Sequence, residues 1–160
     1  MSVNLLKSKN ILPSEYQQVE YIQSTGEQYI DTGIYLSSNS TVTADIYYPQ
    51  MQSGAIFGAR SAYTVLEFRV SVWNTGYTPT FAFDNSAVDD KGTNLAIGQY
   101  HIEASKNGLY INNELVKTVP NRTFTCEYPM FLFGYNNGGT RAARLSYRLQ
   151  RLTHTNGNIS

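Results

Sequence analysis

Cysteine is nearly absent from this 160-residue chain, and so is an excess of charge of either sign. Cys126 is the only cysteine, which excludes a disulfide within the chain and makes a buried or half-buried structural thiol its expected role. Lysine plus arginine and aspartate plus glutamate each number 12, so the formal net charge is zero. A neutral chain has no overall attraction for nucleic acid or an anionic membrane, and we predict neither as a partner.

Long apolar runs are also missing from the sequence. The first residues, MSVNLLKSKNILP, have too short an apolar run for a signal peptide, and no stretch reaches the length of a membrane span. We therefore predict no membrane insertion. As written, the chain is expected to be made in the cytoplasm and to reach any outside location by another route.

Strand-forming residues take the place of helix formers. Tyrosine occurs 13 times, aromatic residues make up 13% of the chain, and apolar and polar residues alternate in most segments after Pro13. Alternation with a period of two predicts strands that have one face on a core and the other in water. The predicted strands cover residues 40–49, 65–73, 78–84, 99–105 and 141–150.

The turn residues agree with an antiparallel arrangement. Asn107-Gly108 is a strong hairpin signal, and Asn112-Asn113 can form a second tight turn, so residues 98–119 predict a three-stranded meander. Many short strands separated by turns predict an all-β sandwich or barrel. We expect one domain over residues 13–160, preceded by an arm over residues 1–12.

The arm has an apolar character that is unusual for a free terminus. An apolar arm on a small domain docks onto a neighbouring subunit, onto further copies of the chain or onto its own domain. We predict an assembly role and a homo-oligomer. The residues expected to make these contacts are Val3, Leu5, Leu6 and Ile11.

Catalytic patterns are missing from the chain. The glycines lie in turns and not in a phosphate-binding loop, no G-x-S-x-G motif occurs, and two histidines with one distant cysteine do not form a zinc site. The alternating acids of an E-x-D-x-x-E strand, which a jelly-roll glycosidase would need, are absent. We predict a protein that is not an enzyme and has no cofactor. Calcium is the alternative, bound by Asp31, Asp84, Asp89 and Asp90.

Aromatic and amide side chains suggest a carbohydrate site. Alternation places Trp73 opposite the apolar face of its strand, and an exposed ring beside amides and arginine suits a sugar. The alternative is that Trp73 turns inward or lies beneath a neighbouring subunit. Four arginines in the last 20 residues either line the wet face of a strand or contact an acidic partner. The candidate ligand-binding residues are Trp73, Tyr77, Asn136, Asn137 and Arg141.

The opening stretch LPSEYQQVEYIQSTGEQYIDTGI closely resembles the entry motif of concanavalin A-like, laminin G-type jelly-roll domains, which are common in proteins of phages and prophages of gut bacteria. Later pieces fit in order: FGAR, HIEASKNGLYINNELV, FLFGYNNGG and ARLSYRLQRLTHTNG. The resemblance covers residues 12–157. Asn113 stands where the family's hairpin usually has glycine, and the closing strand has drifted further from the pattern.

The resemblance implies an antiparallel two-sheet jelly-roll sandwich in which the opening stretch supplies the first hairpin. It also implies a binding function. We expect a non-enzymatic virion decoration or adhesion protein whose partners are other capsid or tail subunits and a host-surface or mucosal glycan. The alternatives are a structural capsid or tail protein without a ligand, and a carbohydrate-binding module on a bacterial surface or secreted.

Overall fold

A computed structural model describes residues 19–61, 66–73, 76–84, 86–89 and 94–157, and for residues 86–89 it describes the main chain only. Within these ranges the regular structure consists of strands, without any helix. The strands are β1 Ile22–Gln23, β2 Ile30–Ser37, β3 Ser40–Tyr48, β4 Gly54–Arg60, β5 Glu67–Trp73, β6 Thr78–Asp84, β7 Ser86–Asp89, β8 Gly98–Ser105, β9 Gly108–Ile111, β10 Glu114–Lys117, β11 Thr125–Leu132, β12 Tyr135–Asn137, β13 Thr140–Ala142 and β14 Arg148–Asn156.

The strands form two sheets. The small sheet has six strands in the order β1-β14-β3-β8-β9-β10. The large sheet has eight: β13-β12-β4-β5-β6-β7 in order, with β11 paired to β4 and β2 paired to β11. Every pairing among the described residues is antiparallel except that of β12 with β4. The prediction of an all-β protein with two mostly antiparallel sheets is confirmed.

The hydrophobic core lies between the two sheets. Alternate residues of β3 and β8, such as Ile46 and Ile102, face alternate residues of β4, β5 and β6, and their side chains are fully buried. Phe68 and Phe81 pack edge to face with ring centroids 5.0 Å apart. Burial of each such side chain contributes about 2 kcal/mol, so these alternating positions account for most of the force that holds the sheets together.

Four of the predicted strands form much as the alternation indicates, namely β3, β5, β6 and β8. The predicted meander is also confirmed, because β8, β9 and β10 pair in sequence. Its second turn uses Asn112 and Asn113 at φ values of 51° and 68°. Asparagine tolerates this left-handed conformation better than most residues, which explains how the turn forms with Asn113 in place of glycine.

The predicted strand over residues 141–150 is wrong in part. The structure ends β13 at Ala142 and begins β14 at Arg148, and the residues between pass from the large sheet to the small one. Their main-chain groups bond outside a ladder: the Ala143 carbonyl accepts from Ala55 N at 2.7 Å, and Ala143 has a φ of 48°. Leu145 and Tyr147 are buried, so the apolar positions were predicted correctly while the bend was not.

The expected first hairpin in the opening stretch is also wrong. Ile22 and Gln23 pair with β14 in the small sheet, whereas β2 pairs with β11 in the large sheet. The turn between β1 and β2 therefore joins the two sheets. Ser24 and Thr25 support it, because the Gln28 side-chain carbonyl accepts from the Thr25 main-chain nitrogen at 3.0 Å and from the Ser24 hydroxyl at 3.3 Å. The assembly arm, Val3, Leu5, Leu6 and Ile11, lies outside the described residues.

Candidate functional site

The face of β5 that points away from the core carries buried polar side chains. Phe68, Val70 and Val72 belong to the core, so alternation directs the residues between them to the outer face of the large sheet. This face was predicted to lie in water, and the prediction is wrong for β5. Glu67 is 4% exposed, Arg69 is 8% exposed and Ser71 is fully buried.

Two aromatic rings lie beside Arg69 and contribute to this burial. The guanidinium carbon of Arg69 lies 4.6 Å from the ring centroid of Tyr135 and 5.7 Å from that of Trp73. Arg69 reaches Tyr135 across β4 at Gly58, its partner in the β4–β5 ladder. Any Cβ at Gly58 would lie 2.6 Å from Arg69 Cα, so only glycine leaves room here. We call Trp73, Arg69 and Tyr135 the arginine platform.

A group of three charged side chains, one acidic and two basic, lies next to the platform. Glu67 Oε2 is 3.3 Å from Arg69 Nη2 and 3.9 Å from Arg60 Nε, so one carboxylate faces two guanidinium groups. Burial raises the pKa of the Glu67 carboxyl, and the charges of Arg69 and Arg60 oppose that rise. The carboxylate is costly to bury without these arginines, which explains why they cluster around it.

Several polar atoms of this group lack hydrogen bonds. Within the described residues, the Nε atoms of Arg60 and Arg69, Glu67 Oε2 and the Ser71 hydroxyl have no hydrogen-bond partner, although Glu67 Oε2 forms the ion pairs described above. Buried polar atoms are satisfied in nearly all proteins, so a cluster of exceptions indicates a place where water or a ligand completes the bonding. The outer face of the large sheet therefore has rings, charges and unfilled hydrogen-bonding capacity in one place.

The structure places two of the five predicted ligand-binding residues on this outer face, at opposite ends of β5. Trp73 is half-buried at the end of β5 and belongs to the arginine platform. Asn137 of β12 pairs with Arg60 of β4, so the Asn137 side chain lies on the same outer face as Trp73. It is nearest to the Glu67 end of β5. This placement agrees with the predicted outward direction of Trp73.

The other three predicted residues lie elsewhere and have structural partners. Asn136 is 2% exposed; its amide donates to the Pro129 carbonyl at 3.0 Å and accepts from Gly139 N at 2.7 Å, so it supports a turn. Tyr77 is half-buried and packs against the core. Arg141 donates to the Glu27 carbonyl and lies over the Tyr29 ring at 5.5 Å. These contacts give all three residues a structural role.

Sequence reasoning missed Arg69 and Tyr135. The signal for Arg69 was present, because alternation along VLEFRVSVW places it on the same face as Trp73. No such signal exists for Tyr135, because it comes from a strand more than 60 positions away and reaches Arg69 through a parallel pairing of β12 with β4. Only the tertiary fold makes these two residues neighbours.

Cys126 is enclosed by the fold, and arginines of the last 20 residues bond to groups of the same chain. Cys126 is 1% exposed, and burial raises the pKa of its thiol to about 12, which confirms the expected structural role. The arginines contact acceptors of the same chain: Arg144 bonds Glu27 at 2.6 Å, and Arg148 bonds Gln23 at 3.0 Å.

The two acidic residues of the calcium alternative whose side chains the structure describes, Asp31 and Asp84, each have another partner. The described part of the chain contains no group of three or more histidine, cysteine, aspartate or glutamate side chains placed to hold a metal ion. Asp31 accepts a hydrogen bond from Gly33 N and Asp84 pairs with Arg122 at 3.6 Å; the side chains of Asp89 and Asp90 are outside the described residues. Across the same ranges, no helix of the length and apolarity that a membrane crossing needs occurs.

Comparisons with known proteins identify no family. No family model matches the chain, and no curated protein matches it in sequence. Among solved structures, it is similar to a mutant of Trypanosoma rangeli sialidase that displays trans-sialidase activity. The two are 9% identical, with a TM-score of 0.47, and the match covers 76% of this chain and 21% of the sialidase. A similarity at this level supports no enzymatic activity for the present chain.

Proposed function

We propose that this chain is a non-enzymatic binding module with a concanavalin A-like jelly-roll fold, and that the outer face of the large sheet binds carbohydrate. The observation that carries the proposal is the arginine platform, in which the guanidinium of Arg69 lies close to the rings of Trp73 and Tyr135. Next to it are polar atoms that have no hydrogen-bond partner among the described residues. The resemblance of the opening stretch to laminin G-type domains supports the same class of function.

The chemistry of this face suits a sugar. The C–H face of a pyranose ring packs on an aromatic ring, and the half-buried indole of Trp73 offers such a surface at the end of β5. Hydroxyl groups both donate and accept, so they can bond the one-third-exposed guanidinium of Arg60 and the half-buried amide of Asn137 on this face.

The carboxylates of this face support binding better than hydrolysis. Glycosidases use one carboxyl group as an acid and another as a nucleophile or base, with access to opposite sides of the scissile bond. Glu67 instead faces two arginines, and its register partner Asp84 pairs with Arg122. Release of reducing sugar from host polysaccharide would favour the glycosidase alternative.

The biological setting we propose is a virion, where the module acts as a decoration or adhesion protein on capsid or tail subunits. Its assembly side is the edge where the described chain begins. There an apolar groove of about 290 Å³ is lined by Val19, Ile22, Leu149 and Leu152, among others. Exposed apolar residues grouped at one edge are typical of a contact surface, and the arm lies on the N-terminal side of Val19 in the sequence.

The carbohydrate proposal is tested by a glycan array followed by calorimetry with the best ligand. Trp73→Ala should weaken binding at least tenfold, because an aromatic stacking contact is lost together with the water-excluding surface around Arg69. Leu115→Ala is the control, since Leu115 is 50% exposed on β10 of the small sheet, away from the proposed binding face. Equal binding by both variants, or silence of the array, would favour the structural capsid or tail protein without a ligand.

The assembly proposal is tested separately. Deletion of residues 1–12 should reduce incorporation into particles and lower the oligomeric state, measured by mass spectrometry of purified particles and by light scattering. Unchanged incorporation and an unchanged oligomer would count against the arm as an anchor. Absence of the protein from any particle, together with glycan binding, would favour the free bacterial carbohydrate-binding module.

A further inference from the structure

A second polar surface lies on the opposite side of the molecule, on the outer face of the small sheet. Ile46 and Ile102 face the core, so their neighbours Asp45 and His101 point outward, opposite each other in the β3–β8 ladder. They line a depression of about 400 Å³ together with Gln99, Asn112 and Gln150. Its size falls within the range of small-molecule sites in proteins.

The floor of this depression is held in place by short hydrogen bonds. One oxygen of Asp45 lies 2.5 Å from His101 Nδ1, and the other accepts from Arg151 Nε at 2.6 Å. The carboxylate is thus bonded at both oxygens by residues of the two flanking strands, β8 and β14. Groups fixed in this way lose little freedom when a ligand binds, which favours binding.

Asn112 is fixed in a similar manner. Its main-chain nitrogen donates to the His101 carbonyl at 2.8 Å, and its side-chain oxygen accepts from the His101 main chain at 2.9 Å. The side-chain nitrogen of Asn112 and Nε2 of His101 have no hydrogen-bond partner within the described residues, although both belong to anchored side chains. Two oriented groups therefore remain available to a ligand.

A β-bulge adds Gln150 to the four side chains already described as lining the depression. The register of β14 against β3 shifts between Leu149 and Arg151, which makes Gln150 the additional residue. Bulges re-aim a side chain relative to its strand, and Gln150 lines the depression as a result. Gln150 and Gln99 are both exposed, and neither amide is hydrogen-bonded to another part of the chain that the structure describes.

We propose that this depression is a second binding site, which takes an uncharged, polyhydroxylated ligand the size of one or two sugar rings. Three amides and an imidazole offer donors and acceptors side by side, which matches hydroxyl groups that do both. The charge of Asp45 is balanced by Arg151, so the depression has no excess charge to attract an ion. The site is independent of the arginine platform, which lies on the other sheet.

The test is an NMR titration of the isotope-labelled chain with glucose, galactose, N-acetylglucosamine, maltose and lactose at millimolar concentrations. At least one of these sugars should shift the amide signals of Gln99, His101 and Asn112. Gln99→Ala and Gln150→Ala should each weaken that ligand about fivefold, the effect of losing one hydrogen bond. Both residues are exposed, so the fold should be retained.

Two control variants show whether the shifts arise at this depression or at the platform. Thr155→Ala changes an exposed residue further along β14 and should leave the titration unchanged. Trp73→Ala should also leave it unchanged, while it weakens binding at the platform at least tenfold. Three results would overturn the proposal: none of the five sugars shifts these signals, the shifts disappear with Trp73→Ala, or glucuronate or glucosamine binds better than the neutral sugars.

Discussion

Replacement of Arg69 by methionine tests the electrostatics of the large sheet most directly. The change keeps an apolar stem beside the rings of Trp73 and Tyr135 but leaves Glu67, which is 4% exposed, without its nearest cation. Breaking one partner of a buried ion pair costs about 3–5 kcal/mol. Because Arg60 stays 3.9 Å from the carboxylate and is itself one-third exposed, we expect the lower end, about 3 kcal/mol at neutral pH.

The loss should depend on pH in a direction that the structure defines. Burial already raises the pKa of Glu67 in the folded chain, and removal of Arg69 takes away the largest opposing charge, so the pKa rises further. A raised folded-state pKa means that stability is greatest below the unfolded-state pKa and falls as pH increases through the folded-state value. The destabilisation by Arg69→Met should therefore shrink when the pH is lowered from about 7.5 to about 4.5.

The assay is urea unfolding of both proteins at the two pH values. The double variant Glu67→Gln/Arg69→Met should cost about 1 kcal/mol and lose the pH dependence, since no buried charge is left unpaired. Arg122→Met is the matched control; its arginine is 63% exposed beside Asp84, and the expected cost is about 0.5 kcal/mol or less. An equal loss for Arg69→Met at both pH values would refute the reasoning.

Further predictions concern the core and the close contacts. Gly58→Ala should destabilise the fold by about 3 kcal/mol, because its Cβ would meet Arg69 at 2.6 Å and its φ is 150°. Gly33→Ala should cost about 1 kcal/mol, because the space around Gly33 is open. Thermal melts compare the two variants. Tyr147→Phe should cost about 1–2 kcal/mol in urea unfolding, because the buried hydroxyl donates to a β4 carbonyl at 2.7 Å. Cys126 should react with a thiol reagent only after denaturant unfolds the chain, and rapid labelling of the native protein would contradict its burial.

The core face of each strand was accessible to sequence reasoning. Side chains on a strand alternate between two faces, so Phe68, Val70 and Val72 had to share one face and the residues between them the other. Trp73 was placed correctly for the same reason. Turn residues such as Asn112 were recognised because few side chains tolerate a positive φ.

Alternation along a strand does not predict which side chains cover the face that points away from the core. For β3 that face is half-exposed along the strand, whereas for β5 it is buried, although the two sequences alternate in the same manner. Both strands are interior in their sheets, so the difference comes from the side chains on the outer face, where the rings of Tyr135 and Trp73 lie beside Arg69.

The sequence by itself determined β3, β5, β6 and β8, the tight turns of the meander and most apolar positions, because these depend on residues that are neighbours along the chain. The tertiary structure decided which polar residues meet. Asn136 accepts a hydrogen bond within a turn, and Arg141 forms an ion pair with Glu27. Arg69 belongs to the candidate site because it contacts Tyr135, which is distant in sequence. Contacts of this kind depend on sheet order and register, which local alternation does not specify.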